Sequence, residues 1–265
     1  PNLQEKKTKF KLNPRINENP YLDNQLKQLE MQFNATKQRL QNKFGTKKFI
    51  VYFQSFTNTY APIATLKALY EKALSFDNVI GLSIGTRTDC VTDEILDYLV
   101  DLSKDKEIWI EFGIQSFYDE TLIDINRGDT AENMRYWITR SKEKGLNVCG
   151  HLIYGLPKET QEMMLETFRQ TVELKVDSIK FHPLYVVKNT LLINEFKKGR
   201  FTPISEELYI DTVVKSIKIL PENISIQRIT AGINDSTLLS PDWCRDKHTQ
   251  MKNIRLALEK EGFNY

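Results

Sequence analysis

Cysteine is scarce in this sequence and scattered, with Cys90, Cys149 and Cys244 the only three. Spacing this wide builds no disulfide framework and no Cys-x-x-Cys metal knuckle. Long apolar runs are missing as well: no stretch approaches the ~20 residues needed to cross a bilayer. Residues 1–20 are polar and basic where a secretory signal would be apolar. Cytoplasm is therefore the expected location, with no membrane partner. Charge of one sign is not in excess either, since 37 Lys and Arg against 35 Asp and Glu leave +2. A dedicated nucleic-acid binder clusters a surplus of Lys and Arg, so charge leaves the partner open. The small basic groups (Lys6, Lys7, Lys9 and Lys11; Lys47 and Lys48; Lys197, Lys198 and Arg200) read as solvated surface. No internal repeat or low-complexity tract is present.

What is there is a regular alternation. Apolar residues make up 40% and charged residues 27% of 265; this length suits one large domain or two small ones, and α/β barrels often run to it as a single unit. Residues 1–20 read as a polar arm. Leu22, Leu26, Leu29, Phe33 and Leu40 recur at helical spacing up to Gly45. Strands are then expected at 48–55, 79–84, 107–112, 147–153 and 178–181, with 224–229 as the last. Helices are expected from Pro62 to 74, then over 93–102, 119–125, 130–144, 159–174, 205–219 and 246–261, with a short one near 191–198 inside the long loop 184–203. Strands recurring at roughly thirty-residue spacing with helices between them predict βαβ units and a parallel sheet, which right-handed crossovers curl toward a barrel. The expectation is a partial (β/α)6 barrel, taken as one domain over 21–265.

The stretch 107–157 carries the chemistry. Ile108, Trp109, Ile110 and Phe112 form an apolar run ending in Gly113, read as a buried strand that stops where the backbone must turn or approach something closely. Glu111, Gln115, Asn126 and Arg127 then lie at or just beyond a strand end, where α/β proteins build their sites. Gln115 and Arg127 are close enough in sequence to face one cleft. A carboxylate inside an apolar run demands a partner, and for Glu111 pairing with Arg87 or contact with a ligand both remain open. His151 and His182 each close a strand. Gly155 lets a backbone approach a ligand closely or simply turns the chain before Pro157.

The words GIQS (113–116), NRG (126–128) and YGLP (154–157), in that order, resemble radical S-adenosylmethionine (radical SAM) enzymes, particularly a bacterial subfamily close to the elongator-type and coproporphyrinogen-oxidase-type members. FQSFTNTYAP (53–62), GTRTDC (85–90), HLIYGLP (151–157), KFHPL (180–184) and Trp243-Cys244 fall in the same order, so the resemblance covers about residues 22–265. It implies the radical SAM core fold and reductive cleavage of SAM to a 5′-deoxyadenosyl radical that abstracts hydrogen. It also implies a [4Fe-4S] cluster, an electron donor as partner, and tRNA as a substrate through wobble-uridine modification. Family members hold the cluster with a CxxxCxxC-like loop that this sequence lacks, so those ligands are expected upstream of residue 1 and this piece is expected to be inactive.

By the same resemblance Gln115 contacts the amino-acid or ribose end of SAM, Arg127 pairs with its carboxylate, Glu111 lies near its ribose or amino group, and His151 stands where the coproporphyrinogen type has an Asp near SAM. Gly155 borders the adenine, His182 faces the substrate as the catalytic candidate, and Gln54 and Thr57 follow the strand whose loop meets the methionine amino group. Arg87 and Asp89 match a TRPD word. Thr88 replaces its Pro, and Gly85 stands where the coproporphyrinogen type has Glu, so no contact carries over at Gly85. Gln227 likewise replaces a His. Two other readings stay open: a metal-dependent barrel hydrolase using His151, His182 and nearby carboxylates, and a cluster-less module that binds SAM or RNA.

Overall fold

The computed structural model describes residues 19–263. The expected polar arm lies outside them up to residue 18. Two compact units form, one of residues up to Phe112 with Arg140–Val148, the other of Gly113–Thr139 with Cys149 onward.

The first unit holds α1 (Leu22–Phe44), β1 (Phe49–Phe53), α2 (Ile63–Leu74), β2 (Val79–Thr86), α3 (Asp93–Ser103) and most of β3 (Glu107–Gln115). Alternation builds it. In β2 and β3 one set of side chains, Leu82, Ile84, Ile108, Ile110 and Phe112, is almost wholly buried together with Leu66 of α2 and Leu96 and Leu99 of α3. The other set puts Ser83 in register with Trp109 and Gly85 with Glu111, and paired residues of neighbouring strands share a face. The long helix α1 ends as predicted at Gly45, whose φ of 65° lets its N–H reach the Gln41 carbonyl. Phe33 of this helix stacks on Phe76 at 4.5 Å and meets Phe49 edge-on at 5.9 Å. Thr92 caps α3 by accepting the Ile95 N–H.

The second unit holds the end of β3, then α4 (Asp119–Asp124), most of α5 (Ala131–Glu143) and β4 (Asn147–Tyr154), α6 (Gln161–Glu173) and β5 (Ser178–Pro183). It continues through β6 (Val186–Val187), α7 (Leu192–Lys197), α8 (Glu206–Lys218), β7 (Ser225–Arg228), β8 (Leu238–Ser240) and α9 (Lys247–Lys260). Its core is aromatic. Tyr154 lies 5.2 Å from Phe181, which lies 5.8 Å from Phe168. The two buried phenols are satisfied, Tyr154 by Ser216 at 2.7 Å and Tyr209 by donating to the Ile229 carbonyl at 2.8 Å.

The sheet runs in the order β1-β2-β3-β4-β5-β7, parallel in each pair within either unit. This is the parallel α/β sheet of a partial barrel that the strand–helix alternation predicts. Two details differ from the expectation. β3 does not stop at Gly113 but continues to Gln115, so Glu111 is interior to a strand rather than at its end. β6 and β8 form a small antiparallel pair, and strands of two and three residues are too short to show a period.

Candidate functional site

In the first unit Glu111 is 1% exposed and its Oε1 accepts a hydrogen bond from the Ser83 hydroxyl. Burial of a carboxylate requires such donors, because water no longer supplies them. Arg87 directs two arms of its guanidinium onto the carboxylate of Asp89, at 2.7 and 2.6 Å. The loop after β1 is tied down by Asn58, whose side-chain amide donates to the carbonyls of Phe53 and Gly85, both at 2.9 Å. Thr59 adds bonds to Thr86 and to the Cys90 carbonyl, at 2.5 and 2.6 Å. Gln54 and Thr57 sit on that loop, Gln54 exposed and Thr57 half-buried.

In the second unit Gln115 and Arg127 come together over Gly113. A Cβ placed on Gly113 would stand 2.7 Å from Gln115 Nε2 and 3.1 Å from Arg127 Nη2, and Arg127 Nη2 donates to the Gly113 carbonyl at 2.5 Å. Local geometry explains how Arg127 gets there. The N–H groups of Asn126 and Arg127 bond back to the carbonyls of Ile123 and Leu122, at 2.9 and 2.8 Å, with Asn126 at φ 52°. That is the left-handed terminus of α4; it turns the chain so that the next residue returns toward β3. Asn126 is thus accounted for as a helix terminator. Gln115 itself has φ 69°, and the Ser116 N–H bonds to the Ile114 carbonyl across it at 2.9 Å. This three-residue turn is strained for a residue other than glycine, by about 1–3 kcal/mol, and such strain concentrates where a ligand is held.

Further round the same unit, His151 of β4 is in register with Lys180 of β5, and Ile153 with His182. The two imidazoles stack with centroids 5.5 Å apart and planes at 27°. Gly155 has φ 90°, and a Cβ there would meet Cβ and Cγ2 of Ile204 at 2.7 Å each. Packing against Ile204 therefore requires glycine at this position.

Three residues escaped the sequence reading. Ser83 and the buried Lys180 both lie at alternate positions of expected strands; the two-residue period through Ser178, Lys180 and His182 was the available signal. Glu159 is the third. Its carboxyl accepts from the Ser116 hydroxyl at 2.5 Å, and burial pushes it above the usual carboxylate range while the Ser116 and Thr121 hydroxyls pull it back.

Residues 21–171 match the model of the radical SAM superfamily, and residues 176–260 match that of the radical SAM C-terminal domain. The chain belongs to the radical SAM superfamily. It is 34% identical over 242 residues to YtqA of Bacillus subtilis, covering 91% of this chain and 75% of that protein. It is 29% identical over 157 residues to a tRNA uridine(34) acetyltransferase of Methanocaldococcus jannaschii, covering 58% of this chain and 28% of that one. Among solved structures it is similar to Elp3 of the archaeon Methanocaldococcus infernus, with a TM-score of 0.75 and 23% identity over 89% of this chain. The chain spans 60% of that structure's length.

Radical SAM proteins normally use SAM and a [4Fe-4S] cluster. The residues here fit the first: a glycine whose missing side chain leaves room for a converging amide and guanidinium suits a small zwitterion with a carboxylate. They do not fit the second. Cluster ligands are thiolates from closely spaced cysteines, whereas Cys90, Cys149 and Cys244 are far apart in the sequence and form no such loop.

Proposed function

We propose that this radical SAM chain is the SAM-binding core of an enzyme acting on tRNA. The observation that carries the reading is the convergence of Gln115 and Arg127 over Gly113. In this reading the planar guanidinium of Arg127 takes the SAM carboxylate, a geometry that a two-armed donor matches, and Gln115 takes the amino-acid or ribose end. His151 contacts the same ligand, Gly155 borders the adenine, and His182 faces the substrate. Gln54, Thr57, Arg87 and Glu111 are proposed as further cofactor contacts on the family resemblance alone. SAM bound in such an enzyme supplies a 5′-deoxyadenosyl group as the hydrogen acceptor. The share of these residues is to fix the ligand and keep water away from it. A tRNA substrate is supported by the name of the M. jannaschii relative, a tRNA uridine(34) acetyltransferase.

The test is equilibrium dialysis with labelled SAM. Losing one charge-assisted hydrogen bond costs about 1.5–3 kcal/mol, so Arg127→Ala should weaken SAM about 10- to 150-fold, with Arg127→Lys in between. Wild-type protein that binds no SAM removes the reading. Turnover is tested separately: protein carrying an intact cluster, given SAM and an electron donor, should release 5′-deoxyadenosine, and an intact cluster without product removes the enzyme claim. A second reading is a SAM-binding module without turnover. It predicts SAM binding without product.

A further inference from the structure

Gln115 adopts a backbone conformation that its own residue type disfavours, with φ 69°, and it has no neighbouring glycine to absorb the turn on its C-terminal side. Such a conformation persists only where the surroundings over-determine it. The next residue shows how. Ser116 is fully buried; its N–H closes the turn onto the Ile114 carbonyl at 2.9 Å, and its hydroxyl accepts the Tyr118 N–H at 3.1 Å and donates to Glu159 Oε1 at 2.5 Å. Glu159 follows the Gly155–Pro157 segment, and its own N–H is held by the Leu156 carbonyl at 3.2 Å. One carboxylate thereby joins two segments: the turn at the end of β3 and the loop after β4.

We propose that Glu159 is a positioning residue that acts through Ser116 to hold the Gln115 turn, and hence the Gln115 amide over Gly113, in the ligand-receiving geometry. The proposal rests on Gln115 being a SAM contact. A plainer role competes with it. Glu159 directly precedes Thr160, which caps α6 by accepting the Met163 N–H, and an acidic residue beside a helix N-terminus stabilises the helix whatever binds nearby.

Coupling between positions separates the two roles, because residues acting through one another are not additive while independent ones are. SAM dissociation constants are measured by equilibrium dialysis on the full chain for wild type, Glu159→Ala, Gln115→Ala and the double variant, alongside unfolding midpoints. If Glu159 works through Gln115, Glu159→Ala weakens SAM about tenfold when Gln115 is present and less than about twofold when it is already Ala. Glu159→Gln keeps a carbonyl acceptor for Ser116 and should stay within about threefold of wild type. Should Glu159→Ala not fold, Ser116→Ala replaces it in the cycle with the same expected coupling. Wild-type affinity in Glu159→Ala, or an equal loss with and without Gln115, overturns the proposal while leaving SAM binding intact. Absence of SAM binding by wild type overturns the functional reading and this proposal with it.

Discussion

Replacing Gly113 by Ala separates the proposed ligand site from the stability of the sheet that carries it. The added Cβ would lie 2.7 Å from Gln115 Nε2, which is 3.4 − 2.7 = 0.7 Å inside ordinary contact, and 3.1 Å from Arg127 Nη2. Both atoms are the far ends of flexible side chains, so they swing aside rather than force the backbone to move. Removing glycine from a strand interior returns about 0.5–1 kcal/mol of chain entropy, which offsets the lost Arg127 bond to the Gly113 carbonyl, itself worth about 1.5–3 kcal/mol at most as a charged hydrogen bond. Net stability should therefore fall by no more than about 2.5 kcal/mol. SAM affinity should fall about tenfold or more, because the two groups that receive the ligand are the ones displaced. Denaturant unfolding and equilibrium dialysis on the same preparation measure the two quantities. A Gly113→Ala protein that binds SAM as wild type does would refute the reasoning, whatever its stability.

Other perturbations have equally definite outcomes. Ser83→Ala removes a donor from the buried Glu111 carboxylate and should cost about 1–3 kcal/mol in urea unfolding; an unchanged midpoint means the hydroxyl is dispensable. Gly155→Ala meets Ile204 at 2.7 Å twice and has φ 90°, so overpacking and strain together should cost roughly 2–5 kcal/mol, whereas the double variant with Ile204→Ala should recover part of it. The thiol of Cys244 is pushed up from 9.0 to about 12, chiefly by burial and then by Glu206. The unfolded chain therefore sheds this proton before the folded one does; the contribution is whole below pH 9.0 and is lost as pH rises toward 12. Stability of wild type should fall more steeply above pH 9.0 than that of Cys244→Ala, and parallel curves would contradict the burial argument.

Much of the fold was legible because its periods are long and clean. The strands at 79–86, 107–115 and 147–154 each carry an apolar set at every second position, and α3, α6 and α8 begin at Thr92, Thr160 and Ser205, whose hydroxyls cap them. What escaped did so for physical reasons. Gly113 was read as the stop of β3, where the backbone must turn or approach something closely; the strand runs on to Gln115, and the space at Gly113 is filled by Gln115 and Arg127. The β6–β8 pair depends on contacts between residues some fifty positions apart, which local patterning cannot express. Around the candidate site, Gln115 and Arg127 were visible as polar residues between hydrophobic elements, but the left-handed turn at Asn126 and the carboxylate of Glu159 that fix them emerge only in three dimensions. Arg87 was weighed as a partner for Glu111; two arms of its guanidinium lie on Asp89, two residues along.

The claim that Gln115 and Arg127 receive SAM is tested most directly by ultraviolet cross-linking of labelled SAM to the protein, followed by mapping of the labelled peptides. The account predicts label on the segment spanning Gly113 to Arg127, abolished by excess unlabelled SAM and strongly reduced in Arg127→Ala. Competable label that maps only elsewhere in the chain, and persists in that variant, would contradict it.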